Sequence, residues 1–303
     1  MKNINELPNQ KERIVIVTGA NTGLGFETAL ALAQKEAKVI MACRNLSKAN
    51  IAKEQIQKKV PNADLEIMQI DLGDLQSVQT FAKNYKEKYN TLDILINNAG
   101  VLASSYATTK DGFELQLGAN YLAHFLLTGL LIELLLKTPH SRVVTLGSAV
   151  HKSGKINFDD LQSEKEFDPM TAYSQSKLAN LMFSFELKRR LEKAGAKYPI
   201  ATAAHPGVAM TQLSRGMPRW IYYLTKYTIA PFLSNSPARG AKSTIWAAIG
   251  EAKSGDYFGP QGFREFKGDP GLVQASDLAK DETIAKQLWK VSEELVGIEF
   301  LSE

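Results

Sequence analysis

Short aliphatic runs alternate along this chain with longer stretches whose apolar positions recur every three or four residues. The short runs are 13–18 (RIVIVT), 38–43 (KVIMAC), 64–70 (DLEIMQI), 91–97 (TLDILIN), 142–146 (RVVTL) and 200–204 (IATAA), and each predicts a strand. The longer stretches predict helices over 23–35, 46–60, 75–88, 113–137 and 170–194, with Pro61 stopping the second and Asp74 capping the third. Strands that are apolar on both faces belong in a parallel sheet covered on both sides. Their alternation with helices predicts right-handed crossovers and a single doubly wound α/β sheet. Such sheets take ligands beyond the carboxyl ends of their strands. The glycine-rich and polar motifs of this sequence fall there.

Beyond residue 207 the pattern loosens, interrupted by Pro218, Pro231, Pro237 and Pro260. Residues 212–268 are expected to form a lid-like insertion over the site plus a helix over 237–252. A tail, 269–303, follows with a helical period over 282–299. No second core is predicted, so 1–303 reads as one domain whose nucleotide-binding and catalytic unit spans 13–211.

Composition narrows the partners. The chain has 303 residues, 44% hydrophobic and 22% charged, as globular proteins do. Its net charge of +4 comes from interspersed signs without a basic stripe, which argues against nucleic acid but helps to draw in an anionic cofactor. The single cysteine, Cys43, excludes an internal disulfide and fits a reducing compartment. Residues 1–13 lack the apolar run of a signal peptide, and the greasiest stretch, 125–136, is shorter than the roughly 20 residues of a membrane span. A cytoplasmic protein without a transmembrane segment is expected. The aromatic run 220–233 (WIYYLTKYTIAPFL) reads as a lid lining an apolar substrate pocket, or as a segment making weak contact with a membrane surface.

The first predicted strand runs into Thr18-Gly19-Ala20-Asn21-Thr22-Gly23-Leu24-Gly25. Glycines there let the backbone approach a pyrophosphate, whose charge meets a helix N-terminus. At the end of the second strand an acidic residue would hold an adenosine 2′-hydroxyl and repel a 2′-phosphate. Arg44 and Asn45 stand there instead, with Lys48 beyond, which favours NADP(H). Asp71 and Leu72 follow the third strand, where Asp71 either reaches an adenine edge or caps a turn. Asn98, Ala99 and Gly100 end the fourth, where small residues let a ribose lie on the backbone.

Tyr173 and Lys177 share a helix face, and Ser148 ends the fifth strand. A free phenol has a pKa of about 10. A neighbouring ammonium and an oxidised nicotinamide are expected to lower it by about three units, roughly 4 kcal/mol of differential interaction. Tyr173 then gives a proton to a carbonyl oxygen or takes one from an alcohol. Ser148 steadies the oxygen as charge develops. His151, three residues past Ser148, raises the thought of a hydrolase, but no Gly-x-Ser-x-Gly elbow surrounds that serine.

In this order, TGANTGLG, NNAG, the serine of LGSA, YSQSK and HPG resemble the short-chain dehydrogenase/reductase family. ACRN, NYLAHFLLT and SKLAN point to its retinol dehydrogenase and protochlorophyllide reductase-like branch. The resemblance implies a Rossmann-type sheet and an oxidoreductase acting on a small carbonyl or alcohol. It implies that Asn120 binds water beside Lys177 and extends a proton relay. Lys177 and Tyr173 are expected to touch the nicotinamide ribose, and Pro206, Gly207, Val208 and Thr211 to lie along the carboxamide and phosphates. A homodimer through the 113–137 and 170–194 helices is implied as well. Two other functions stay open on the sequence: reduction of a C=C bond, as in protochlorophyllide reductase, and non-catalytic sensing of NADP(H).

Overall fold

In the computed structural model, which describes residues 4–207 and 235–302, eight strands form one sheet in the order β3-β2-β1-β4-β5-β6-β7-β8. They are β1 (Ile14–Thr18), β2 (Lys38–Cys43), β3 (Leu65–Gln69), β4 (Ile94–Asn97), β5 (Arg142–Leu146), β6 (Ile200–Ala204), β7 (Tyr257–Pro260) and β8 (Pro270–Leu272). All neighbours run parallel except β7 and β8. Six of these strands coincide with the predicted runs to within a few residues. The last two, YFGP and PGL, carry proline and glycine, residues tolerated in a sheet only near its edge. They were not predicted for that reason.

The helices are α1 (Gly23–Gln34), α2 (Leu46–Lys59), α3 (Leu75–Lys88), α4 (Leu115–Lys137), α5 (Pro169–Lys193), α6 (Pro237–Ile249), α7 (Asp277–Lys280) and α8 (Glu282–Val296). Two buried apolar clusters result, one on each face of the sheet. The cluster under α1, α2 and α6 takes Val15, Val17, Val39, Met41, Ile94 and Ile96. The cluster under α3, α4 and α5 takes their sheet neighbours Ile16, Ile40, Leu95 and Val143. Both faces of each central strand are therefore dry, as a period-two strand with no polar face requires.

The chain leaves β1 outward to β2 and β3, then crosses back to β4 on the other side of β1. A crevice opens at such a reversal, beyond the carboxyl ends of the strands. Thr18, Asn97 and the residues after them stand at its floor.

Helix α4 differs from an uninterrupted helix. It starts at Leu115 behind Glu114, whose carboxylate accepts from the N–H groups of Gln116 and Leu117, and it contains a π-helical turn over Gly118–Leu122. Among the described residues α4 alone is long and apolar enough to cross a membrane, but 78% of its apolar window is buried inside the fold. Part of that cover is the tail. Phe300 and Ile298 close on Gly129 of α4, and α8 packs on both α4 and α5. This chain's own tail thus covers part of the two helices through which the resemblance implies a homodimer.

Candidate active site

Helix α1 begins without a side-chain cap. Thr22 precedes it in extended conformation and makes no capping hydrogen bond, and the first turn holds no acidic residue. In contrast α2, α3, α5, α6 and α8 are capped by Asn45, Asp74, Asp168, Ser236 and Asp281. The uncapped N–H groups of α1 leave a site for an anion. Gly19 (φ 68°) and Gly23 (φ 56°) take left-handed conformations that place the loop there. A Cβ on Gly25 would collide with the Gly19 carbonyl, so the helix packs as closely on the strand as a backbone can.

A cleft of about 650 Å³ runs from this loop. Gly19, Asn21, Thr22, Gly23, Leu24 and Gly25 form one part, Arg44 and Asn45 another, Asp71 and Leu72 a third, and Asn98, Ala99 and Gly100 a fourth. Every cofactor residue proposed from the first four strand ends is therefore brought together. The exposed Arg44 guanidinium lies 3.9 Å from Asp71. Asp71 also accepts from the Gly73 N–H at 2.9 Å, so it closes a turn while facing the cleft. The side-chain oxygen of Asn98 is buried without a partner beside the cleft. An uncapped helix end, a glycine cradle, a basic group and an orphaned acceptor suit a phosphorylated dinucleotide. Lys48, Ile51 and Gln55 of α2 line the same space. Of these the sequence singled out only Lys48.

At the other end of the cleft, Gly100 separates it from the catalytic candidates. A Cβ on Gly100 would stand 3.3 Å from both the Lys177 ammonium and the Asn120 amide oxygen. Lys177 is buried and donates to the Leu146 carbonyl at 3.1 Å, a carbonyl shared with Asn180. Its nitrogen lies 5.8 Å from the centre of the Tyr173 ring, which places both on one face of α5. The phenol of Tyr173 faces the Ser148 hydroxyl closely enough for the two to interact. These four residues sit together as the sequence suggested.

Their electrostatics differ from the expectation. Burial raises the Tyr173 phenol to about 12, opposed only by the nearby Ser148 hydroxyl. Burial also lowers Lys177 to about 8. In the protein alone, desolvation outweighs the ammonium, and the phenol is held protonated. Asn120 differs too. Both of its amide hydrogens are used, on the Val101 carbonyl and the Ser176 hydroxyl at 3.0 Å each, and its oxygen accepts from the Val101 N–H at 2.7 Å. A relay water is left only a lone pair of this residue's oxygens.

The neighbouring imidazoles point away from catalysis. His151 accepts from the Ser276 N–H and so donates through Nδ1 to the Ser148 carbonyl at 2.6 Å, leaving the Ser148 hydroxyl alone. His205, wholly buried, accepts from the Gly207 N–H and turns Nε2 toward Glu265 at 3.1 Å. This pair holds the left-handed Gly207 (φ 71°) after Pro206. Val208, Thr211 and the aromatic run 220–233 lie outside the described residues.

The profile of the short chain dehydrogenase family matches residues 13–221. Retinol dehydrogenase 11 from Homo sapiens is 39% identical over 291 residues, covering 94% of this chain and 86% of that protein. Retinol dehydrogenase 13 from Mus musculus is 40% identical over 293 residues, covering 94% and 84%. A crystal structure of an uncharacterised protein from Mycobacterium paratuberculosis superposes with a TM-score of 0.81 at 39% identity, covering 99% of this chain and 98% of that one. A short chain dehydrogenase from Shigella flexneri complexed with NADP shares the fold, with a TM-score of 0.65 at 23% identity over 83% and 98% of the two chains. The chain belongs to the short chain dehydrogenase family, in its retinol dehydrogenase-like branch. It is an oxidoreductase of a family that takes nicotinamide cofactors and small-molecule substrates.

Proposed function

We propose that this protein is an NADPH-dependent reductase of an apolar aldehyde or ketone, and a dehydrogenase of the corresponding alcohol. The observation that carries this reading is the Tyr173 ring beside Ser148 with the Lys177 ammonium 5.8 Å from its centre, at the end of a cleft that suits a dinucleotide; burial keeps the phenol protonated there. A neutral phenol is the proton donor that reduction needs. The cofactor supplies the hydride. Ser148 holds the substrate oxygen, Tyr173 donates its proton to that oxygen, and Lys177, through its positive charge, steadies the phenolate left behind. Asn120 fixes the wall beside Lys177 through Val101 and Ser176. Arg44 and Asn45 receive the 2′-phosphate at the start of α2, and the NADP complex of the like-folded Shigella protein supports NADP(H) as the cofactor. The names of the retinol dehydrogenase relatives support an apolar polyene alcohol or aldehyde as the first substrate to try.

The test follows NADPH absorbance with a panel of apolar aldehydes and ketones, using wild type and Tyr173→Phe. The variant is expected to keep NADPH binding and to lose at least about a hundredfold in kcat. A Tyr173→Phe protein with wild-type turnover refutes the assignment. Binding of NADPH without turnover of any substrate in the panel refutes the enzyme reading and leaves a sensor.

A further inference from the structure

Beneath the cleft, His124 of α4 links the dinucleotide loop to the π turn. Its Nδ1 lies 3.0 Å from the backbone carbonyl of Asn120 and its Nε2 lies 2.9 Å from the Thr18 hydroxyl. A carbonyl only accepts, so Nδ1 must carry the proton. In a neutral ring Nε2 then accepts. The Thr18 hydroxyl already accepts from the N–H groups of Asn98 and Ala99, both at 2.9 Å, so its one hydrogen is free to go to Nε2. The alternative acceptor for that hydrogen, the Ile96 carbonyl, is more distant at 3.3 Å. Every donor and acceptor is matched only if the imidazole is neutral with its proton on Nδ1. A charged ring would aim a second N–H at an oxygen with no lone pair to spare. Burial disfavours the charged ring too.

The bonds join three pieces of the site. Thr18 closes β1 and holds Asn98 and Ala99, which line the cleft. Asn120 lies in the π turn, with its side chain next to Lys177. We infer that His124 is a positioning residue, a neutral imidazole bridge that sets the cofactor-side strand ends and the Asn120–Lys177 wall at one fixed spacing. This rests on the reductase reading for its turnover arm, but not for its binding arm.

Two variants separate the two bonds. In His124→Asn the amide nitrogen stands near the Nδ1 position, keeping the Asn120 bond and losing Thr18. In His124→Gln the amide reaches the Nε2 position, keeping Thr18 and losing Asn120. NADPH affinity is read by fluorescence titration, turnover by absorbance, and folding by thermal melt. His124→Asn is expected to weaken NADPH about tenfold while kcat stays within about threefold of wild type. His124→Gln is expected to keep NADPH affinity and lose about tenfold in kcat. His124→Leu should show both losses. Equal losses of affinity and turnover in the Asn and Gln variants, tracking only their melting temperatures, overturn the bridge, as do two variants indistinguishable from wild type. If wild type binds NADPH but turns over nothing, the reductase reading fails, and the affinity contrast between the two variants still decides the bridge to Thr18.

Discussion

At Tyr173 and Lys177 the decisive quantity is water exclusion. Burial pushes the phenol up to about 12 and the ammonium down to about 8, so at neutral pH one is a full acid and the other still mostly charged. The charge on Lys177 is then lost as pH rises through about 8. For reduction, kcat with saturating NADPH is expected to be level from pH 6 to 7 and to fall roughly tenfold by pH 9, where only about a tenth of the ammonium remains. Lys177→Arg, which stays charged, should be slower but level over that range. A wild-type profile that is level to pH 9.5 would remove Lys177 from the mechanism. Arg44 carries the second prediction at this scale. A charge-assisted bond to the 2′-phosphate is worth about 1.5–3 kcal/mol, so Arg44→Ala should cut the preference for NADPH over NADH ten- to a hundredfold in kcat/KM. An unchanged ratio would assign the preference elsewhere. These residues were legible because their types are unusual where they stand: a base in place of an acid after β2, and a phenol and an ammonium one turn apart. His124 was not legible as part of the site. An imidazole within NYLAHFLLT reads as core packing, and only the fold brings Thr18 to it.

Helix α4 shows what a hydrophobic period conceals. Predicted over 113–137, it begins two residues later behind the Glu114 cap and widens into the π turn. Adding one residue to a turn changes the hydrogen-bond ladder but barely disturbs an apolar pattern in which nearly every position is buried, so the sequence carries no sign of it. The turn has a thermodynamic signature through His124. Its pKa falls from 6.5 to about 4 on folding, with burial the largest cause. Between those values the unfolded chain binds more protons than the native one, so stability is complete above pH 6.5 and is lost as pH falls toward 4. The loss from this group should reach about 2 kcal/mol by pH 5. His151, lowered in the same sense by burial, adds to the slope. Urea midpoints at pH 7 and pH 5 should therefore differ much less for His124→Gln than for wild type. Equal differences would mean that His124 is not buried neutral in the native state.

The five inner strands β2, β1, β4, β5 and β6 were read correctly because a strand dry on both faces has few other ways to be apolar. The edge and the tail were read poorly because their role depends on where the rest of the molecule leaves surface to cover. Residues 282–299 showed only a helical period, yet α8 brings Trp289, at 1% exposure, into the larger core. Its ring stacks on Phe183 of α5 (5.7 Å, 17°) and meets Phe125 of α4 at 4.9 Å and Phe300 at 4.7 Å. The Arg190 guanidinium lies 4.5 Å above it, and its indole N–H donates to Glu293. The tail is thus a wedge that fixes α4 against α5, the two helices carrying Asn120, Tyr173 and Lys177. Truncating such a ring leaves a cavity that the surrounding aromatic rings cannot close, at a cost of about 3–5 kcal/mol. For a chain of this size Trp289→Ala should lower the thermal midpoint by on the order of 10 °C. Tyr173 precedes Phe183 on α5 by about 15 Å of helix axis, so NADPH affinity at a temperature where the variant is folded should stay close to that of wild type. A variant with a wild-type melt would show that the tail is not anchored through this ring. One with a lowered melt and lost NADPH binding would show that the wedge also sets the width of the cofactor cleft.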